Sequence, residues 1–149
     1  MRIVVQRVSR AAVRVDGREI SSIGHGLLVY LGIEKADTDG DARFMAEKAA
    51  NLRVFEDDRG AMNRSLLDTG GEALVISQFT LLGDCRKGRR PSFAGAMEPG
   101  EAEAIYELFA AELEMRSVPT RKGRFRAAME VDSVNNGPVT ILIDSRKMF

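Results

Sequence analysis

With 149 residues, 44% of them hydrophobic and 30% charged, the chain has the balance of one folded domain over residues 1–149, neither disordered nor membrane-embedded. No run approaches the roughly 18 apolar residues of a membrane span, and the first residues mix charge with aliphatics where a signal peptide would build an apolar core, so a cytoplasmic protein with no membrane association is expected. One cysteine, Cys85, and one histidine, His25, exclude an intramolecular disulfide and a Cys/His zinc cluster, and 22 Lys plus Arg against 22 Asp plus Glu remove any overall nucleic-acid signature.

Residues 2–8 are aliphatic and β-branched, 11–15 alternate, and Asp16-Gly17 is a dipeptide that accepts positive φ at both centres of a tight turn, so a β-hairpin opens the fold. Gly24 and Gly26 punctuate the chain before the apolar run 27–33, short enough for a central strand buried on both faces. Over 37–52, Ala42, Met45, Ala46 and Ala49 recur at helical spacing behind an imperfect capping box, Thr38 with Asp41. A polar loop at 56–60 leads into a poorly patterned stretch, and 73–81 then predicts a strand with a polar tail. A second helix starts near Pro99 and carries Ala102, Ile105, Phe109 and Leu113 on one face, its acidic start at the favourable end of the dipole. Residues 125–134 and 139–143 predict two strands separated by the turn formers Asn135-Asn136-Gly137-Pro138. Two main helices against many strands make the fold class α+β. No repeat, low-complexity tract or linker divides the chain.

Four places are candidates for chemistry. In Asn136-Gly137-Pro138, proline fixes its own φ and restricts the glycine before it. The unit reads either as a plain turn or as a cis peptide whose two carbonyl oxygens line a pocket. The tail Ser77-Gln78-Phe79-Thr80 offers two hydroxyls, an amide and a ring at a strand end, which suits a ligand and equally suits a wet outer face. Thr80 is a nucleophile only if a base lies near in space, since none lies near in sequence. Acidic residues crowd into 34–41, 56–58 and 98–114, whereas 86–90 and 121–126 are dense in arginine and lysine. The second pair suits an anionic partner as well as a solvated surface. His25 reads as a turn residue, Cys85 as incidental, and Phe125 and Met129 as core. Arg7, set among apolar neighbours, needs a partner if buried.

The order of these segments along the chain carries more than any one of them. Met1-Arg2-Ile3-Val4-Val5-Gln6-Arg7-Val8, Ser77-Gln78-Phe79-Thr80-Leu81, Lys87-Gly88-Arg89-Arg90-Pro91-Ser92-Phe93 and Asn135-Asn136-Gly137-Pro138-Val139-Thr140 together resemble the D-aminoacyl-tRNA deacylase family over essentially the whole chain. Ile23-Gly24-His25-Gly26-Leu27-Leu28-Val29 and Asn51-Leu52-Arg53-Val54-Phe55-Glu56-Asp57 support the match.

The resemblance implies a homodimer of barrel-like α+β subunits with mixed and antiparallel sheets, and two active sites at the interface. It implies hydrolysis of the ester of D-aminoacyl-tRNA, and of mischarged glycyl-tRNA. Gly137 and Pro138, joined by a cis bond in the family, would enter the partner's pocket together with Asn136 and exclude L-amino acids by steric conflict. Ser77, Gln78 and Phe79 would hold the aminoacyl end, partly through backbone N–H groups that stabilise an oxyanion. Thr80 is either a nucleophile or a bystander to water assisted by the ribose hydroxyl. Phe125 and Met129 would wall the pocket, and Arg7 would orient the glycine-proline loop. Arg86, Lys87, Arg89, Arg90, Lys122 and Arg124 would meet tRNA, with no metal or organic cofactor. The chain departs from the family pattern at Asn136, where aspartate is commoner, at Arg126, where glycine is usual, and at Lys122, where threonine is common. The last two bear on the tRNA contacts. Two other classes stay open, an RNA-binding module without catalysis and a hydrolase using Thr80.

Overall fold

Asp16 and Gly17 take φ of 50° and 73° and close the hairpin between β1 (Arg2–Val15) and β2 (Arg18–Ile23), both centres left-handed as the dipeptide predicts. The structure is a computed structural model that describes Met1–Phe149. β1 is one long strand with three partners. Its first half pairs antiparallel with β3 (Gly26–Gly32), its second half with β2, and its other edge with β8 (Glu130–Asp144). β3 runs parallel to β6 (Glu72–Ser77), and β6 runs parallel to β7 (Thr120–Lys122). The sheet curls so far that the Ser21 hydroxyl of β2 donates to the Lys122 carbonyl of β7 at 2.8 Å. The result is a nearly closed barrel.

The apolar run at 27–33 is buried on both faces because it is the middle of this sheet. Leu27, Val29, Leu31, Ala73 and Val75 face α1 (Asp39–Ala50) and α3 (Pro99–Met115), where they meet Met45, Ala46, Tyr106, Phe109 and Leu113. Leu28, Leu74 and Ile76 point the other way and fill the barrel with Val8, Ala11, Val13 and Ile23. The two strands approach so closely at Gly26 that a Cβ there would lie 1.9 Å from the Glu72 carbonyl oxygen. Only glycine fits that crossing.

Both helices begin where local chemistry puts them. The Asp41 carboxylate accepts from the backbone N–H and the hydroxyl of Thr38, each at 2.9 Å, and Pro99 opens α3. The poorly patterned stretch holds a two-stranded ribbon, β4 (Phe55–Glu56) with β5 (Met62–Arg64), and a one-turn helix α2 (Leu66–Thr69). α2 is capped by Ser65, whose hydroxyl accepts from the Asp68 N–H at 3.2 Å.

Three expectations are corrected. The strand expected over 73–81 ends at Ser77, and Phe79–Leu82 form a 3-10 turn instead. β3, its neighbour, runs out at Gly32, so no edge remains to pair with. The strand expected from residue 125 starts only at Glu130, because Phe125 and Arg126 lie in a turn with Arg126 at φ 62°. Asn135-Asn136-Gly137-Pro138 do not separate two strands. Both flanks belong to β8 and pair with the same β1, so the segment is a bulge within one strand.

Candidate active site

Gln6 opposes Thr140 and Val8 opposes Asn135, so the single Arg7 faces Asn136, Gly137, Pro138 and Val139. The bulge is braced from both sides. The Val139 N–H donates to the Asn135 side-chain oxygen at 3.2 Å, and the Asn135 amide donates to the Thr140 hydroxyl at 3.0 Å. The Gly137–Pro138 peptide is cis, and Gly137 sits at φ 120°. A Cβ there would meet Val139 Cγ2 at 2.8 Å and Arg7 Nη2 at 2.9 Å. Arg7 is 6% exposed. Its Nη1 donates to the Val54 carbonyl at 2.6 Å and its Nε to the Asn136 carbonyl at 3.3 Å, while Nη2 lies 3.5 Å from Glu56. The buried guanidinium expected to need a partner thus ties the bulge to the segment leading into β4. Asn136, Gly137 and Pro138 themselves are exposed. His25, whose ring tilts against Phe55 at 4.8 Å, borders a small polar cleft behind the bulge, not the main cavity.

A cavity of about 540 Å³ opens at the carboxyl ends of β3 and β6, within the range of small-molecule sites. Ser77, Gln78 and Phe79 form one wall, and Phe125 and Met129 from the loop before β8 form another. Leu31, Ile33, Ile76 and Ala102 make an apolar floor. Phe79 is 57% exposed and meets Phe93 edge to face, centroids 5.1 Å apart, so the two rings frame the mouth. The Phe125 wall is fixed from behind by Tyr106, whose ring lies 5.5 Å away and whose hydroxyl donates to the Val75 carbonyl at 2.9 Å. Burial, with the Glu107 charge added, pushes the Tyr106 phenol far above its ordinary value, so it stays a neutral donor.

The 3-10 turn decides which backbone donors face this space. The Gln78 N–H is committed to the Leu31 carbonyl at 2.8 Å and cannot serve an oxyanion, contrary to the expectation from the motif. Phe79 and Thr80 open the turn, where N–H groups lack an acceptor within it; Phe79 lines the cavity, and Thr80 follows it in the chain without being part of the lining. The Gln78 side-chain amide donates to the Thr80 hydroxyl. Thr80 is therefore held by a donor, which does nothing to strip its proton. No histidine or lysine lines the cavity, and its charged lining residues are Glu98 and Arg126.

The six cations expected on RNA divide. Arg86 grips Asp84 with Nη2 at 2.6 Å, Nε at 2.9 Å and its backbone N–H at 2.9 Å. Those hydrogen bonds hold the Asp84 carboxyl at about 2. Lys122 donates to Glu107 of α3. Both side chains have a carboxylate partner within the protein. Lys87, Arg89, Arg90 and Arg124 are exposed. The first three sit on a loop clipped at its base, where Asp84 and Ser92 exchange backbone hydrogen bonds at 2.8 and 2.9 Å. The sequence reading missed Met97, Glu98 and Pro99 as cavity lining. The start of α3 at Pro99 is the signal that would have found them, because the helix end points into the cavity.

A family model described as D-Tyr-tRNA(Tyr) deacylase matches residues 4–144. The chain belongs to this deacylase family. The D-aminoacyl-tRNA deacylase of Desulforudis audaxviator (strain MP104C) is 55% identical over 149 residues, covering all of both chains. A solved structure titled "c-Myc DNA Unwinding Element Binding Protein" superposes with TM-score 0.91 at 42% identity, over 97% of this chain and 98% of that one. A probable eukaryotic D-amino acid tRNA deacylase shares the fold, with TM-score 0.82 at 18% identity over 95% and 97% of the two chains. As a deacylase, the chain is a hydrolase of D-aminoacyl-tRNA esters.

Proposed function

We propose that this deacylase works as a homodimer in the cytoplasm, each cavity being closed by the Gly137-Pro138 bulge of the partner. It hydrolyses D-aminoacyl-tRNA and glycyl-tRNA and excludes L-aminoacyl-tRNA. The observation that carries the reading is the separation of the two halves of the site. Gly137 and Pro138 stand exposed on a braced bulge and do not line the cavity of their own subunit. The strand that carries the bulge also exposes Val134 at 41% and Leu142 at 58%, an apolar edge suited to a second copy.

In the assembled site the terminal adenosine stacks at Phe79 and Phe93, against the walls of Phe125 and Met129. The ester carbonyl oxygen points at the N–H groups of Phe79 and Thr80, which stabilise the negative charge as water adds to the carbonyl carbon. The ribose hydroxyl next to the ester orients that water. Collapse of the tetrahedral adduct breaks the bond to the ribose oxygen, which takes up a proton, and releases the amino acid and free tRNA. Thr80 supplies its backbone N–H and not its hydroxyl.

Selection comes from the gate. An L side chain is directed at the partner's Gly137-Pro138 backbone, held by Arg7 and Asn136. A D side chain points away from it, and glycine has none. No pocket for a particular side chain is required, so the reaction spans many D-amino acids. Lys87, Arg89, Arg90 and Arg124 meet the tRNA phosphates and make association salt-dependent. The test is hydrolysis of one tRNA charged with D-tyrosine or with L-tyrosine. The D-ester is expected to react at least a hundredfold faster, and equal rates or no hydrolysis would overturn the reading.

A further inference from the structure

Arg126 is the one cation that lines the cavity, and three observations set it apart. Its backbone is left-handed at φ 62°, a conformation disfavoured for any residue with a Cβ, and arginine lacks the short polar side chain by which Asn or Asp compensates locally. Glycine would serve the turn better. Its guanidinium makes no ion pair within 4.0 Å, as is also true of Arg121 and Arg124 nearby in the chain, so it is free to meet an anion. Glu98, the other charged lining residue, does not pair with it. Between Phe125 and Ala127 the side chain is exposed at the mouth of a space whose walls are aromatic and aliphatic. Disfavoured backbone held at the edge of a site is characteristic of residues kept for what their side chain does.

We infer that Arg126 binds the phosphodiester that joins the terminal adenosine to the nucleotide before it, a phosphate contact of this chain that sets how the acceptor end enters. The inference rests on the reading of the cavity as the site for the aminoacylated adenosine. With the base among Phe79, Phe93 and Met129, the backbone of the preceding nucleotide must leave through the mouth, where Arg126 offers several donors in a fixed fork to the phosphate oxygens. Lys122, the other basic residue at a position unusual for the family, is already taken by Glu107. Arg126 therefore acts without it.

The experiment compares two small probes, adenosine, which has no phosphate, and cytidylyl-(3′→5′)-adenosine, which has one phosphodiester. Their binding is measured by calorimetry to the full chain and to Arg126→Gly and Arg126→Lys, over a range of salt. Arg126→Gly relaxes the left-handed turn, and unchanged adenosine binding is its folding control. The dinucleotide is expected to lose about tenfold in affinity in Arg126→Gly and to recover part of it in Arg126→Lys. The slope of log affinity against log salt is expected to fall by about 0.7, the loss of one single-strand phosphate contact. kcat/KM for D-tyrosyl-tRNA is expected to fall in parallel. Equal losses for both probes, or none, would overturn the assignment of Arg126 and leave the cavity reading standing. A wild-type chain that binds neither probe and leaves D-tyrosyl-tRNA intact would overturn both.

Discussion

Replacing Arg7 by methionine removes the tether between the bulge and the segment leading to β4 and nearly preserves the aliphatic volume, so the packing term is small. The largest loss is at Val54, 5% exposed, whose carbonyl would keep no partner after losing the 2.6 Å bond from Arg7. A stranded buried acceptor costs about 1–3 kcal/mol. The 3.3 Å bond to Asn136 adds about 0.5–1 kcal/mol, and the pair with Glu56, 59% exposed in its side chain, adds about 0–1 kcal/mol. A total near 3 kcal/mol follows, and with a urea slope of about 2 kcal/mol/M it moves the midpoint down by about 1.5 M. The same variant should lower the ratio of D- to L-tyrosyl-tRNA hydrolysis, because the gate is held from behind by this side chain. Arg7→Lys, with one compact donor group in place of a fork, should lie between. A midpoint within about 0.2 M of wild type, or an unchanged D to L ratio in a variant that is destabilised, would refute the role given to Arg7.

Phe79→Ala should leave stability within about 0.5 kcal/mol, since the ring is largely exposed, yet lower kcat/KM by about tenfold through loss of base stacking; steady-state kinetics beside thermal unfolding would show it. Thr80→Val keeps the backbone N–H and should retain kcat within about threefold in single-turnover assays, whereas a loss of about a thousandfold or more would mean the hydroxyl is the nucleophile. Asp84 is held at about 2 by Arg86. Because its folded value is lowered, the contact between the Asp84 carboxylate and Arg86 is fully formed above the ordinary carboxylate range and lost only as the pH falls through about 2. Carboxyl NMR titration should show that midpoint, and Arg86→Ala should return it toward 3.8.

Features governed by a few neighbouring residues were legible in the sequence. Asp16-Gly17, Thr38 with Asp41, and Pro99 each mark an element boundary that the structure places where expected, and Ser65 with Asp68 carries the same signal for α2. Features set by register were not. Nothing near Asn136 says that both flanks of the bulge pair with one strand, because that depends on β1, well over a hundred residues away. The commitment of the Gln78 N–H to Leu31 follows from the parallel pairing of β3 and β6, and the pairing of Lys122 with Glu107 follows from where α3 crosses β7. The cavity is assembled from four separated segments. Ser77, Gln78, Phe79, Phe125 and Met129, which the family motifs single out, come together on one cavity, while Arg126 stood out in the sequence as a departure from the family pattern.

Whether the cavity of one subunit is gated by its partner is tested most directly with mixed dimers. One subunit carries Phe79→Asp, which disables its cavity and leaves its bulge intact. The other carries Gly137→Ala with Pro138→Ala, which alters the bulge and leaves its cavity intact. In a purified mixed dimer the working cavity faces the intact bulge, so L-tyrosyl-tRNA should be rejected as strongly as by wild type while D-tyrosyl-tRNA is cleaved at about half the wild-type rate. Hydrolysis of L-tyrosyl-tRNA by the mixed dimer, at a rate comparable to that of the doubly altered-bulge dimer, would show that each cavity is gated by its own chain.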